Sequence, residues 1–267
     1  NIITQKKGRK MTLAGSSPEG YRTSVQTDIE MNEGEMSVFA ESIGFRGFSP
    51  TLYDAIDKQY ETSRDPYSVQ TLSYHFSSHG FSGNLNFNQF NSPDFYVIGA
   101  ANTEENKYYG EGYRVELKHR AEFSHHLQQE VMMYYHQSST YAQSIAIPSE
   151  KAVLLPNTAA FIIGGGAKHT ESGVNWTISN NQHNQWHWLV GAELRQPKIV
   201  YSTGYSNYST EDYVNILTLG RPLIYYGQVI ANTENITPQH RNINSAFAQL
   251  QFYPSKQWDF VLAGRVD

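Results

Sequence analysis

Between Tyr113 and Phe123 the chain alternates without a break. Tyr113, Val115, Leu117, His119, Ala121 and Phe123 fall on one face of an extended backbone, and Arg114, Glu116, Lys118, Arg120 and Glu122 fall on the other. Successive side chains of a β-strand point to opposite faces, so a repeat of two makes a strand and excludes a helix. So complete a division into apolar and charged faces suits a strand with lipid on one side and water on the other.

The same device recurs along the chain. Tyr21–Met31 sets Tyr21, Val25, Ile29 and Met31 against Arg22, Gln26, Asp28 and Glu30. Tyr67–Ser77 and Phe81–Phe90 form an expected hairpin around Ser78-His79-Gly80; Phe81, Leu85 and Phe87 oppose the uncharged Ser82, Asn84, Asn86 and Asn88. Leu127–Gln137 follows the organising strand after Ser124-His125-His126. Val174, Trp176 and Ile178 mark a short strand, and Trp186–Arg195 a stronger one, with Trp186, Trp188, Val190, Ala192 and Leu194 against Gln185, His187, Glu193 and Arg195. Asn242–Tyr253 and Gln257–Asp267 read as a last hairpin. Lys10–Gly15 and Met36–Phe48 carry weaker patterns. Pro50–Asp65 breaks the alternation; Leu52, Ala55, Ile56 and Tyr60 have helical spacing, which predicts a short helix within a loop. Ser138–Ser172, with Gly164-Gly165-Gly166, and Gln196–Gln239 read as long irregular connections.

The count is about eleven strands, joined alternately by turns of about 3–5 residues and loops of roughly 20–45, with one short exception near the start. Short turns at one end and long loops at the other is the outer-membrane arrangement, periplasmic and extracellular respectively. The expected fold class is therefore all-β, an antiparallel transmembrane β-barrel. Closed bacterial barrels have even strand numbers, so an odd count implies part of a barrel.

Composition agrees. The chain has 267 residues, 39% hydrophobic and 17% charged, and its mean hydropathy of -0.54 is too polar for helical spans of about 20 apolar residues. A barrel escapes that test because only alternate residues meet lipid. The 19 Tyr, 13 Phe and 4 Trp suit membrane–water interfaces. A net charge of -5 gives no footprint for nucleic acid. With no Cys, disulfides and thiolate metal sites are excluded. Starting at Asn1 without Met or a signal peptide, the chain reads as a processed or truncated piece.

Catalytic patterns are weak. His183-Asn184-Gln185-Trp186-His187 has the spacing of a zinc-protease helix, but Asn184 stands where the general-base Glu belongs and the tryptophans favour a strand. His125-His126 sits at a turn. The three glycines at 164–166 lack the Lys-Ser/Thr of a phosphate loop and read as a flexible loop. No Gly-x-Ser-x-Gly elbow occurs. Glu30, Glu116, Glu122 and Glu193 alternate with Arg and Lys, which predicts salt-bridge networks on a wet face. No catalytic residue, metal site or cofactor is expected. In the long loops Tyr201, Tyr205, Tyr208, Tyr213 and Arg221 are the expected ligand contacts, since Tyr and Arg bury large surface behind a polar handle.

Asn1-Ile2-Ile3-Thr4 followed by Lys6-Lys7 resembles the end of the plug of TonB-dependent outer-membrane receptors. Asn244-Ser245-Ala246-Phe247-Ala248-Gln249-Leu250, through Trp258 to Gly264-Arg265-Val266-Asp267, resembles their mid-barrel hairpin. That resemblance implies a plugged barrel of about 22 strands in the bacterial outer membrane. Residues 1–8 would close the plug and 9–267 would form about the first half of the barrel. It implies uptake of a scarce ligand (siderophore, vitamin, metal chelate or glycan) with energy from an inner-membrane complex. The implied partners are outer-membrane lipid, the small ligand, and a periplasmic coupling protein acting through plug segments outside this chain. The alternative is a soluble, secreted β-rich binding module.

Overall fold

The computed structural model describes residues 8–267 apart from 17–18, 48, 55–58, 64, 95–104, 125–126, 148–158, 181–184, 210–222 and 256–257. Residues 1–7, which carry the plug-like motif, thus lie outside the described residues. The described chain is all-β.

One antiparallel sheet of 13 strands dominates. Its main path follows chain order: β1 (Lys10–Ser16), β2 (Gly20–Met31), β3 (Gly34–Phe45), β6 (Tyr67–Ser78), β7 (Phe81–Pro93), β8 (Lys107–Ser124), β9 (Leu127–Ile147), β10 (Phe161–Asn180), β11 (Trp186–Tyr208), β14 (Ile243–Ser255) and β15 (Trp258–Val266). The short β12 (Tyr225–Glu234) and β13 (Gln239–His240) both pair with the far half of β11. Among the described residues β1 and β15 each pair on one side only. The eleven strands of the main path are those expected from alternation.

Connections sort by end. At one end of the sheet successive strands of the path are two to five residues apart in sequence (β2 to β3, β6 to β7, β8 to β9, β10 to β11, β14 to β15); at the other end the separations are 13 to 34 residues, apart from the short one between β1 and β2. At 79–80 the turn has His79 at φ 50° and Gly80 at φ 78°, the paired left-handed conformation of a two-residue hairpin whose twist matches its strands. The Ser78 hydroxyl donates to the Glu33 carbonyl at 3.0 Å, tying that turn to its neighbour.

Three stretches depart from expectation. Thr51–Asp54 (β4) pairs with Gln59–Thr62 (β5) as a separate hairpin, not a helix. Tyr53 opposes Tyr60 with their rings 5.5 Å apart edge to face, and this cross-strand contact outweighs the helical spacing of Leu52 and Tyr60. Second, Ser138–Ser172 is mostly strand. β9 runs on to Ile147 and β10 starts at Phe161, so Gly164-Gly165-Gly166 is paired backbone. A Cβ on Gly164 would collide with the Ala142 carbonyl, so the close approach of β9 requires glycine there. Third, Gln196–Tyr208 continues β11. A register shift opposite Lys168/His169 inserts an extra residue and resets the alternation.

Beside this sheet the described residues form only the two-stranded β4–β5 hairpin. The buried apolar cluster is small: Phe161, Tyr208 and Leu223, with Ala159, Ile147 and Tyr225 packed around them at the long-connection end.

Candidate functional site

Register assigns every side chain of the main sheet to one of two faces. Val25 opposes Ala40, Leu72 opposes Phe87, Val115 opposes Tyr135, Met133 opposes Val174, Val174 opposes Leu194, and Leu250 opposes Leu262. One face is therefore apolar from β1 to β15, and among the described residues it is largely exposed. Leu117 is 51% exposed, Met133 55%, Leu194 57% and Leu262 72%. Soluble monomers rarely expose contiguous apolar patches beyond a few hundred Å². All four tryptophans, Trp176, Trp186, Trp188 and Trp258, belong to this face.

The apolar character is confined to a band. From Tyr113 to Phe123 β8 covers about 33 Å at ~3.3 Å per residue; at the tilt of about 40° common to barrel strands such a length would rise about 25 Å, comparable to an outer-membrane apolar belt. Aromatic rings mark its limits: Trp186 stacks on Phe252 at 4.0 Å and Phe81 meets His119 at 4.2 Å near the tight turns, while Tyr113 and Tyr135 lie 5.7 Å apart towards the other end. Beyond Tyr113 the same face turns polar with Glu111 and Lys107, and beyond Leu194 with Gln196 and Lys198. β11 has 23 residues, whereas a tilted strand crosses a bilayer in about 9–11.

The opposite face is hydrophilic and internally paired. Arg22 bonds Glu41 at 2.6 Å, Lys118 meets Glu130 at 3.1 Å, and Arg114 pairs with Glu116. Asn84 donates to Glu116 at 3.5 Å and shares a 2.7 Å hydrogen bond with His75. Arg265 reaches Glu193 at 2.7 Å, and the Tyr134 hydroxyl donates to Glu171 at 3.0 Å. These are half-exposed pairs that set geometry more than stability.

Of the expected ligand contacts, Tyr201 and Tyr205 lie on β11 beyond the apolar band, not in a loop. They share the face of Tyr141, whose ring meets Tyr205 edge-on at 5.2 Å. On neighbouring strands Gln89 donates to the Tyr109 hydroxyl at 3.0 Å and Tyr109 to Glu111 at 2.6 Å. Burial pushes the Tyr201 hydroxyl above its ordinary pKa, with Tyr205 and Glu111 adding to the shift. Tyr208 turns to the other face and is fully buried, its hydroxyl donating to the Ala159 carbonyl at 3.1 Å and its ring packed against Phe161 and Tyr225. It lies in the buried cluster, apart from Tyr201 and Tyr205. Tyr213 and Arg221 lie outside the described residues, as do His125, His126, His183 and Asn184. Sequence reasoning passed over Tyr141, Tyr109 and Glu111, which only strand pairing brings beside Tyr201 and Tyr205.

Among the described residues no group of three or more His, Asp or Glu stands close enough to hold a metal ion. No protein-family model matches the chain, and no curated protein matches it.

Proposed function

We propose that this chain forms part of the wall of an outer-membrane β-barrel receptor of the TonB-dependent type, which binds a scarce ligand outside the cell and imports it with inner-membrane energy. The observation that carries the reading is the largely exposed apolar face, continuous over eleven strands and limited to a membrane-sized band. The paired hydrophilic face would border water and the plug, and the long connections would face outwards. In this role the chain supplies wall and loops, with no chemistry of its own.

The four tryptophans make the test direct, because all belong to the face assigned to lipid. In vesicles containing brominated phospholipids their fluorescence should be strongly quenched, while an aqueous quencher has little effect. A chain that stays monomeric without detergent and shows only aqueous quenching would instead be a secreted β-rich binding module.

A further inference from the structure

The hydrophilic face carries a row of aromatic rings that the wall does not require. Phe45, Tyr67, Phe90 and Tyr108 lie on β3, β6, β7 and β8, four successive strands, all near the long-connection end. Register places each on the face of Glu41, His75, Asn84 and Arg114. Their ring centroids follow one another at 5.4, 6.3 and 5.5 Å. Tyr67 and Tyr108 remain 37% and 38% exposed. Cross-strand ring pairs stabilise a sheet modestly, which accounts for rings meeting but not for a row of them left partly exposed on the hydrophilic face.

The surroundings narrow what such a row can hold. Next to the rings on β3 and β6 the same face carries Ile43 and Val69, and one position further on β6, β7 and β8 are Thr71, Asn88 and Gly112, all uncharged. Gly110 pairs with Phe90, and a Cβ there would find nothing closer than 3.9 Å. Crowding does not impose that glycine; it leaves open floor beside the rings. Two ion pairs border the row, Arg46 with Glu19 and Glu41 with Arg22. A charged ligand would find no free counter-charge in them, and a purely aliphatic one would strand the amide and hydroxyl groups.

We infer that this row is a binding track for a neutral oligosaccharide, whose sugar rings lay their C–H faces on the aromatics while their hydroxyls meet Thr71 and Asn88. This rests on the wall reading, in which the face borders water and the plug; it names the ligand class as glycan.

The test is calorimetric titration of the full chain in detergent micelles with neutral α- and β-linked oligosaccharides of one to six units. Affinity should rise with length, and Tyr108→Ala should weaken hexasaccharide binding by about tenfold, equivalent to ~1.4 kcal/mol. Gly110→Thr retains every ring and has room for its Cβ, so it should keep the strand content by circular dichroism yet block binding. Phe260→Ala, on the apolar face, should leave binding unchanged. Failure of every hexasaccharide to bind the folded chain, or binding unaffected by both Tyr108→Ala and Gly110→Thr, overturns the track. Tryptophan quenching by brominated lipid is read separately. Quenching without saccharide binding overturns the track and keeps the wall, whereas saccharide binding that responds to both variants without quenching supports the track and overturns the wall.

Discussion

Tyr134 of β9 lies directly across Gly173 of β10, and a Cβ built on that glycine would fall 2.6 Å from the tyrosine ring. The ring occupies the space a side chain would take, and its hydroxyl continues to Glu171 at 3.0 Å. The same relation joins Phe76 to Gly83 and Phe247 to Gly191, so each aromatic covers a backbone that glycine would leave bare. Gly173→Val should displace Tyr134 and cost ~1–3 kcal/mol, as overpacking does. Tyr134→Phe, losing only the hydrogen bond, should cost about 0.5–1.5 kcal/mol. Urea titration of the folded chain in micelles measures both.

Leu117 and Lys118 are neighbours on β8 that point to opposite faces. If Leu117 faces hydrocarbon near the middle of the band, Leu117→Arg should destabilise the vesicle-inserted chain by ~2–4 kcal/mol. Lys118→Ala breaks only a half-exposed contact with Glu130 and should cost under about 1 kcal/mol. Equal effects of the two substitutions would contradict a lipid-facing Leu117.

Tyr208 anchors the long-connection end through packing and one hydroxyl. Tyr208→Phe should lose about 1 kcal/mol with the Ala159 bond, whereas Tyr208→Ala should lose ~3–5 kcal/mol by emptying the cluster with Phe161 and Leu223. Thermal unfolding compares them. A ligand-contact role would instead show as weakened binding in a Tyr208→Phe protein of undiminished stability.

Asn106 is fully buried, and its side-chain oxygen accepts from the Ile145 amide at 2.8 Å while its carbonyl accepts from the Asp94 amide at 2.7 Å. Asn106→Leu should strand the Ile145 amide at ~1–3 kcal/mol. Hydrogen exchange should quicken at Ile145 and leave the Leu117 amide, within the band, unaffected.

Strands were legible where their two faces meet unlike surroundings. Tyr113–Phe123 and Trp186–Arg195 alternate because apolar residues occupy one face and charged residues the other. Ser138–Ile147 and Gln196–Tyr208 are strands too, but they lie beyond the apolar band, so no strict division by polarity is imposed on them and they read as loop. Tyr53 and Tyr60 were hidden for another reason, since a single cross-strand ring contact leaves no periodic trace. The candidate site was only half legible. Tyr201 and Tyr205 stand out by type, but their companions Tyr141 and Tyr109 are chosen by register. Phe45 and Tyr108 belong to one row only because β6 and β7 stand between them.

Each strand of the main path is bonded to its predecessor along that path. Growth can then proceed like a zipper, one hairpin added to a finished edge, with tight links such as His79-Gly80 closing small loops at little entropic cost. No segment has to wait for a distant one before it finds its neighbour, and a strand misaligned by one residue would turn its row of charges onto the apolar face.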